Sequence, residues 1–148
     1  MPRALSLADY RALAEFRYQI RAFLAFSERM AREHAIEPQQ HQLLLACKGL
    51  PATMRPTMGT LAQRLCVEHH TAVGLVDKLE ARGLVRRVAS PKDRREVLVE
   101  ITSSGDTMLA SLSQLHREQL SMVGPELIEA LSTVLSNRER APRSRIRS

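Results

Sequence analysis

Between Leu84 and Ile101 the hydrophobic period of this sequence changes. Val97, Val99 and Ile101 alternate with Leu98 and Glu100, the period-two pattern of a half-buried strand. Leu84 to Ala89 is a second β-rich run. The polar turn Ser90-Pro91-Lys92-Asp93-Arg94-Arg95 separates the two. This reads as a two-stranded hairpin with a basic tip, set into a chain whose other apolar residues recur at helical spacing. The architecture is therefore expected to be mainly α with a small β-hairpin.

Before the hairpin, four helices are expected. The segment from Ser6 to about His34 has no Pro or Gly, and Leu13, Phe16, Ile20, Phe23, Ser27 and Met30 form an a/d-like seam along it. Leu24 and Phe26 lie off that seam, so this helix needs more than one partner surface, either its own core or a second subunit. The sequence Glu37-Pro38 breaks the chain, because proline disfavours helix at the preceding residue. A second helix covers Gln39 to Lys48 and stops at Gly49, and Leu50 to Pro56 is a loop. Thr57 is a plausible N-cap for a third helix through Leu61, Ala62 and Leu65. A turn at Cys66 and Val67 leads to a fourth helix, about Glu68 to Arg82, ended by Gly83.

After the hairpin, Thr102 caps a fifth helix, roughly Ser104 to Met122. Gly124-Pro125 is expected to interrupt it and start a sixth helix that runs to about Asn137. From Arg138 the chain is rich in Arg, Ser and Pro and is expected to be disordered.

Charge points to a polyanionic partner. The 148 residues carry 22 Lys+Arg against 16 Asp+Glu, a net charge of +6. The stretch Arg82 to Arg95 holds six basic residues and one acid, and 138–148 holds five arginines and one acid. The rest has more acids than bases. Two cysteines, Cys47 and Cys66, are too few for a disulfide framework. With no signal peptide and no apolar run long enough to span a bilayer, a cytoplasmic protein without a membrane partner is expected.

The order helix, helix, turn, helix, hairpin is that of a winged helix-turn-helix, which lays its second helix in the DNA major groove. On the fourth helix Ala72, Leu75, Val76 and Leu79 face the core. His69, His70, Val73, Gly74 and Lys78 are then the candidate recognition residues. The two imidazoles can donate to purine N7, and Val73 can meet a thymine methyl. Gly74 either lets the backbone approach DNA closely or is simply tolerated.

The stretch from Thr60 to Gly105 resembles the core of the MarR family of transcriptional regulators. The carrying residues are Leu61-Ala62-Gln63-Arg64-Leu65 and Leu75-Val76-Asp77-Lys78-Leu79-Glu80-Ala81-Arg82-Gly83-Leu84-Val85. Arg86-Arg87, the tip Asp93-Arg94-Arg95 and Ile101-Thr102-Ser103-Ser104-Gly105 complete the set. Cys66 stands where the family often has Gly, Glu68 where it often has Ser or Thr, and His69-His70 replaces a small or basic pair. These departures bear on the target sequence rather than the fold.

The resemblance implies a winged helix-turn-helix domain (38–102) plus a helical dimerisation region made of 1–37 and 103–137. It implies a homodimer on double-stranded DNA, reading a pseudo-palindrome. At the wing, Lys92, Asp93, Arg94 and Arg95 are the candidate DNA residues. Arg94 or Arg95 is inserted at the minor groove, and Asp93 orients its neighbour. Arg64, Arg86 and Arg87 are supporting basic residues. The implied activity is repression by promoter occlusion, relieved by an effector.

A small aromatic or anionic effector is expected near Phe16, Arg17, Phe23 and His41. The alternatives are an oxidant-responsive regulator that uses Cys66, and a winged-helix module that binds protein. No phosphate loop, nucleophile elbow or metal-ligand pair marks an enzyme, a cofactor or a metal site.

Overall fold

The computed structural model describes residues 3–139, with side chains to residue 138. It contains α1 (Leu7–Glu33), α2 (Pro38–Lys48), α3 (Met58–Leu65), α4 (His69–Ala81), β1 (Val85–Ala89), β2 (Val97–Ile101) and α5 (Ser103–Glu139). They fall into two compact units. The first combines the chain up to Ser27 with the chain from His116 onward, and the second is Glu28–Leu115.

The second unit has one apolar core. Leu43 and Leu44 of α2, Leu61 of α3, Val76 and Leu79 of α4, and Leu112 of α5 are all fully buried. Ala31 joins them from the end of α1, Ile36 from the turn that follows it, and Val85 and Val99 from the hairpin. The expected apolar face of α4 is thus the buried one. Antiparallel pairing of β1 with β2 sets Val85 against Ile101 and Ala89 against Val97.

A third segment extends this small sheet. Thr57 forms an isolated antiparallel bridge with Leu98. The Val99 N–H donates to the Pro56 carbonyl at 2.9 Å, and the Arg55 guanidinium lies 2.6 Å from the Glu96 carboxylate. The sequence marks Leu50 to Pro56 only as a loop. Pro56 masks the pairing at its end, because a proline offers an acceptor to a neighbouring strand but no donor.

Helix ends follow local chemistry. Ser6 and Asp9 cap α1 reciprocally. The Ser6 N–H donates to the Asp9 carboxylate at 2.7 Å, and the Asp9 N–H to the Ser6 hydroxyl at 3.2 Å. The hydroxyl of Thr57 accepts the Thr60 N–H at 3.1 Å and caps α3. The helices α1, α3 and α4 each end in a left-handed residue: Ala35, Cys66 and Gly83. In each case the next N–H returns to the last turn, from Ile36 to Ala31, Val67 to Ala62, and Leu84 to Leu79. Only the third of these positions uses glycine. The other two accept a Cβ penalty of about 1–2 kcal/mol.

Two expectations are corrected. Gly124-Pro125 does not end a helix, for α5 runs unbroken through Pro125. The proline removes one donor from the ladder, and Gly124 has no Cβ to collide with its ring. Arg138 and Glu139 do not begin the tail but continue α5. The rest of the segment expected to be disordered, 140–148, lies outside the described residues.

The first unit buries little. Among its described residues Ala12, Ser27 and Ala130 are the buried ones, while Leu7, Tyr10, Met122, Ile128 and Leu135 are more than half exposed. The His116 ring nitrogen lies 2.8 Å from the Ser27 hydroxyl. Phe23 and Phe26 set their edges against the same ring.

At the junction of α4, β1 and α5 there is no spare room. The Thr102 hydroxyl donates to the Gly83 carbonyl at 2.6 Å and accepts the Gly105 N–H at 3.1 Å. A Cβ at Gly105 would sit 2.1 Å from the Leu84 carbonyl oxygen. Gly105→Ala is expected to lower stability by about 2 kcal/mol or more, because backbone must shift to admit the methyl group. Thermal or urea unfolding of the two proteins measures it.

Candidate nucleic-acid interface

The candidate interface is built on α3, the following turn, α4 and the hairpin. Glu68 precedes α4 in extended conformation but makes no side-chain cap. Its carboxylate still suits the positive end of the helix. His69 and His70 are exposed, and Val73 and Gly74 are half-buried. Lys78 is exposed one turn beyond Gly74. None of these five belongs to the buried face formed by Ala72, Leu75, Val76 and Leu79. A Cβ built at Gly74 meets nothing within 4 Å. The fold itself therefore does not demand glycine there.

The wing tip is held by its own polar groups. The Asp93 carboxylate accepts the Arg95 N–H at 2.9 Å, and the Asp93 carbonyl accepts the Glu96 N–H at 3.1 Å. Ser90, which is buried, donates its N–H to the Glu96 carbonyl at 2.9 Å and closes the loop. Its hydroxyl accepts the Lys92 N–H at 3.3 Å. Asp93 thus shapes the turn, and Lys92, Arg94 and Arg95 are exposed on it. None of the three has an ion-pair partner among the described residues.

The supporting basic residues divide. Arg64 is exposed on α3 and lines a cavity of about 480 Å³ with Leu45, Leu50 and Leu65. Arg86 pairs across the hairpin with Glu100 at 2.5 Å. Arg87 is held from two sides, 2.5 Å from the Asp77 carboxylate and 2.6 Å from that of Glu80. Its backbone N–H also donates to Glu80 at 2.9 Å. Sequence reading missed this cluster. Its signal was two acids three apart on one helix face, with an arginine where β1 returns past them.

The expected effector residues do not fall in one unit. Phe16, Arg17 and Phe23 belong to the first, and the buried His41 to the second. Cys47 is partly buried, and that burial pushes its thiol up to about 12, leaving it unreactive. Cys66 is exposed at the left-handed turn before α4. No helix among the described residues is long and apolar enough to cross a membrane.

Comparison with known proteins decides the family. The pattern described as MarR family matches residues 36–96, from just before α2 to the turn that precedes β2. The uncharacterized HTH-type transcriptional regulator YkoM of Bacillus subtilis is 30% identical over 110 residues, covering 72% of this chain and 69% of that protein. The chain belongs to the MarR family of transcriptional regulators.

A second resemblance is narrower. The transcriptional repressor NicR of Pseudomonas putida is 39% identical over 64 residues, 42% of this chain and 40% of NicR. Among solved structures, the MarR fold is shared with a point mutant of MepR from S. aureus bound to an oligodeoxyribonucleotide. Its TM-score is 0.62 at 18% identity, covering 82% of this chain and 94% of that one. The family is one of transcriptional regulators, not of enzymes.

The acid beside Arg87 supplies a pH signature. The Arg87 backbone N–H, then its side chain, hold the Glu80 carboxyl below its usual 4.5. A lowered acid stabilises the fold fully above its unfolded value, and that share disappears as pH falls through the folded value. The stability difference between wild type and Glu80→Gln is therefore expected to be constant above pH 4.5 and to shrink below it. Melting curves across the acid range test this, and a difference independent of pH would contradict it.

Proposed function

We propose that this chain is a sequence-specific DNA-binding repressor that acts as a homodimer. The observation that carries the reading is the wing tip, where Lys92, Arg94 and Arg95 are exposed without ion-pair partners among the described residues, on a turn shaped by Asp93. A tip of that kind suits a narrow minor groove, whose negative potential attracts arginine. The exposed side of α4 suits the major groove, with His69, His70, Val73, Gly74 and Lys78 nearest the bases. Arg64 is a further phosphate contact in this reading.

The oligonucleotide in the MepR mutant structure supports DNA as the partner, and the NicR resemblance supports repression. The exposed apolar side chains of the first unit support a second copy as their cover. Such a dimer reads two half-sites about one helical turn, roughly 10 bp, apart. It blocks a promoter by occupying it. A small aromatic or anionic effector is the releasing signal, with Phe16, Arg17 and Phe23 as candidate contacts. It acts by favouring a dimer whose two α4 helices no longer match the operator spacing.

Selection of genomic fragments by the purified protein, followed by gel shifts at several salt concentrations, tests the reading. Absence of any salt-dependent binding would defeat it. Replacing Arg94 or Arg95 by alanine is expected to weaken operator binding about 10- to 100-fold for the residue that enters the groove. Gly74→Ala separates the two roles left open for that glycine. Alanine should raise thermal stability by up to about 1 kcal/mol. If the backbone approaches DNA closely there, it should also cost about tenfold or more in affinity. Unchanged affinity would assign Gly74 to simple tolerance.

A further inference from the structure

We propose that Arg87 is a positioning residue, which clamps the wing to α4 through Asp77 and Glu80 and so sets the angle between the two reading elements. The inference rests on the DNA-binding reading above and assigns Arg87 a role other than phosphate contact. Three bonds carry it. The guanidinium reaches Asp77 at 2.5 Å through one terminal nitrogen and Glu80 at 2.6 Å through the other. The Arg87 backbone N–H occupies the second oxygen of Glu80 at 2.9 Å.

The geometry favours a structural use of this charge. Asp77 and Glu80 are three apart on α4 and present their carboxylates side by side. Asp77 is also one turn, about 5.4 Å, beyond Val73 on the side of α4 assigned to DNA. Arg87 is the middle residue of β1, between the Gly83 turn and the wing tip. A fork-shaped guanidinium that satisfies two carboxylates fixes direction as well as distance. Arg87 is the least exposed of the three, at 29% against 60% for Asp77 and 40% for Glu80. By contrast, Arg94 and Arg95 have no ion-pair partners among the described residues. The clamp also neutralises two acids that would otherwise face a polyanion.

The two roles for Arg87 predict opposite signs. Asp77→Asn removes a negative charge near the DNA face. If Arg87 contacted phosphate, this change would free the guanidinium and tighten binding. If Arg87 is the clamp, Asp77→Asn weakens operator binding about tenfold. Arg87→Gln should do the same, and the double variant should be no worse than the weaker single one. The slope of affinity against salt should stay unchanged in Arg87→Gln, whereas loss of a phosphate contact lowers it by about one. Arg87→Lys, which keeps the charge but not the fork, should restore only part of the lost affinity.

Free protein supplies an arm independent of DNA. Hydrogen exchange at the hairpin amides, including the Arg87 N–H itself, should accelerate in Asp77→Asn while the amides of α2 and α3 keep their protection. Tighter binding by Asp77→Asn, a flatter salt slope in Arg87→Gln, or unchanged exchange in the hairpin would each overturn the clamp. If the wild-type protein selects no DNA, the regulator reading fails, and the exchange measurement alone decides whether the clamp holds the wing.

Discussion

Three segments of the chain meet at the backbone of Gly83 and Leu84, and the winged helix-turn-helix is assembled there. Their carbonyls accept the Thr102 hydroxyl at 2.6 Å and the Thr102 N–H at 3.1 Å. Gly105 packs against the Leu84 carbonyl so closely that no side chain fits. A single threonine therefore caps α5, pairs with the end of α4 and closes the hairpin at its base. Two strands of five residues each would be marginal alone in water. Here their inner residues, Val85 and Val99, are sealed into the core of the second unit. The contact of Pro56 and Thr57 with the outer edge of β2 secures the other side.

The charge of this protein is divided by tertiary structure in a way that a residue count misses. Arg82 to Arg95 is dense in cations, but Arg86 and Arg87 are bound to acids on β2 and α4. Arg82 bonds the neutral Gln40 side chain, and the other cations without an acid partner among the described residues are Lys92, Arg94 and Arg95, on a turn that Asp93 organises. Buried or bidentate pairs hold elements in register, while unpaired exposed cations are the ones a phosphate backbone can recruit. The same short stretch thus contains both cations that tie the hairpin to α4 and across its own strands and exposed cations without an acid partner among the described residues.

Much of this was legible from one sequence. The change of period at the hairpin placed the wing. The capping residues Thr57 and Thr102 placed the helix starts, and Gly83 placed one stop. The core face of α4 followed from the spacing of Ala72, Leu75, Val76 and Leu79. Each of these signals is local, because caps, turns and amphipathic faces are set by residues within a few positions of one another. Pro125 misled because proline is a strong local breaker, yet a long helix can lose one hydrogen bond and continue when glycine precedes the ring.

By itself, then, the sequence determined the order of elements as far as the start of α5, the basic tip and the family. Tertiary structure alone decided which cations are spoken for, that Pro56 and Thr57 edge the sheet, and that Gly105 has no alternative. The reason is distance along the chain. Arg87 finds Asp77 ten positions back, and Thr102 finds Gly83 nineteen positions back. No periodicity or cap reports on such pairs, because only the packing of α4 against the hairpin brings them within bonding range.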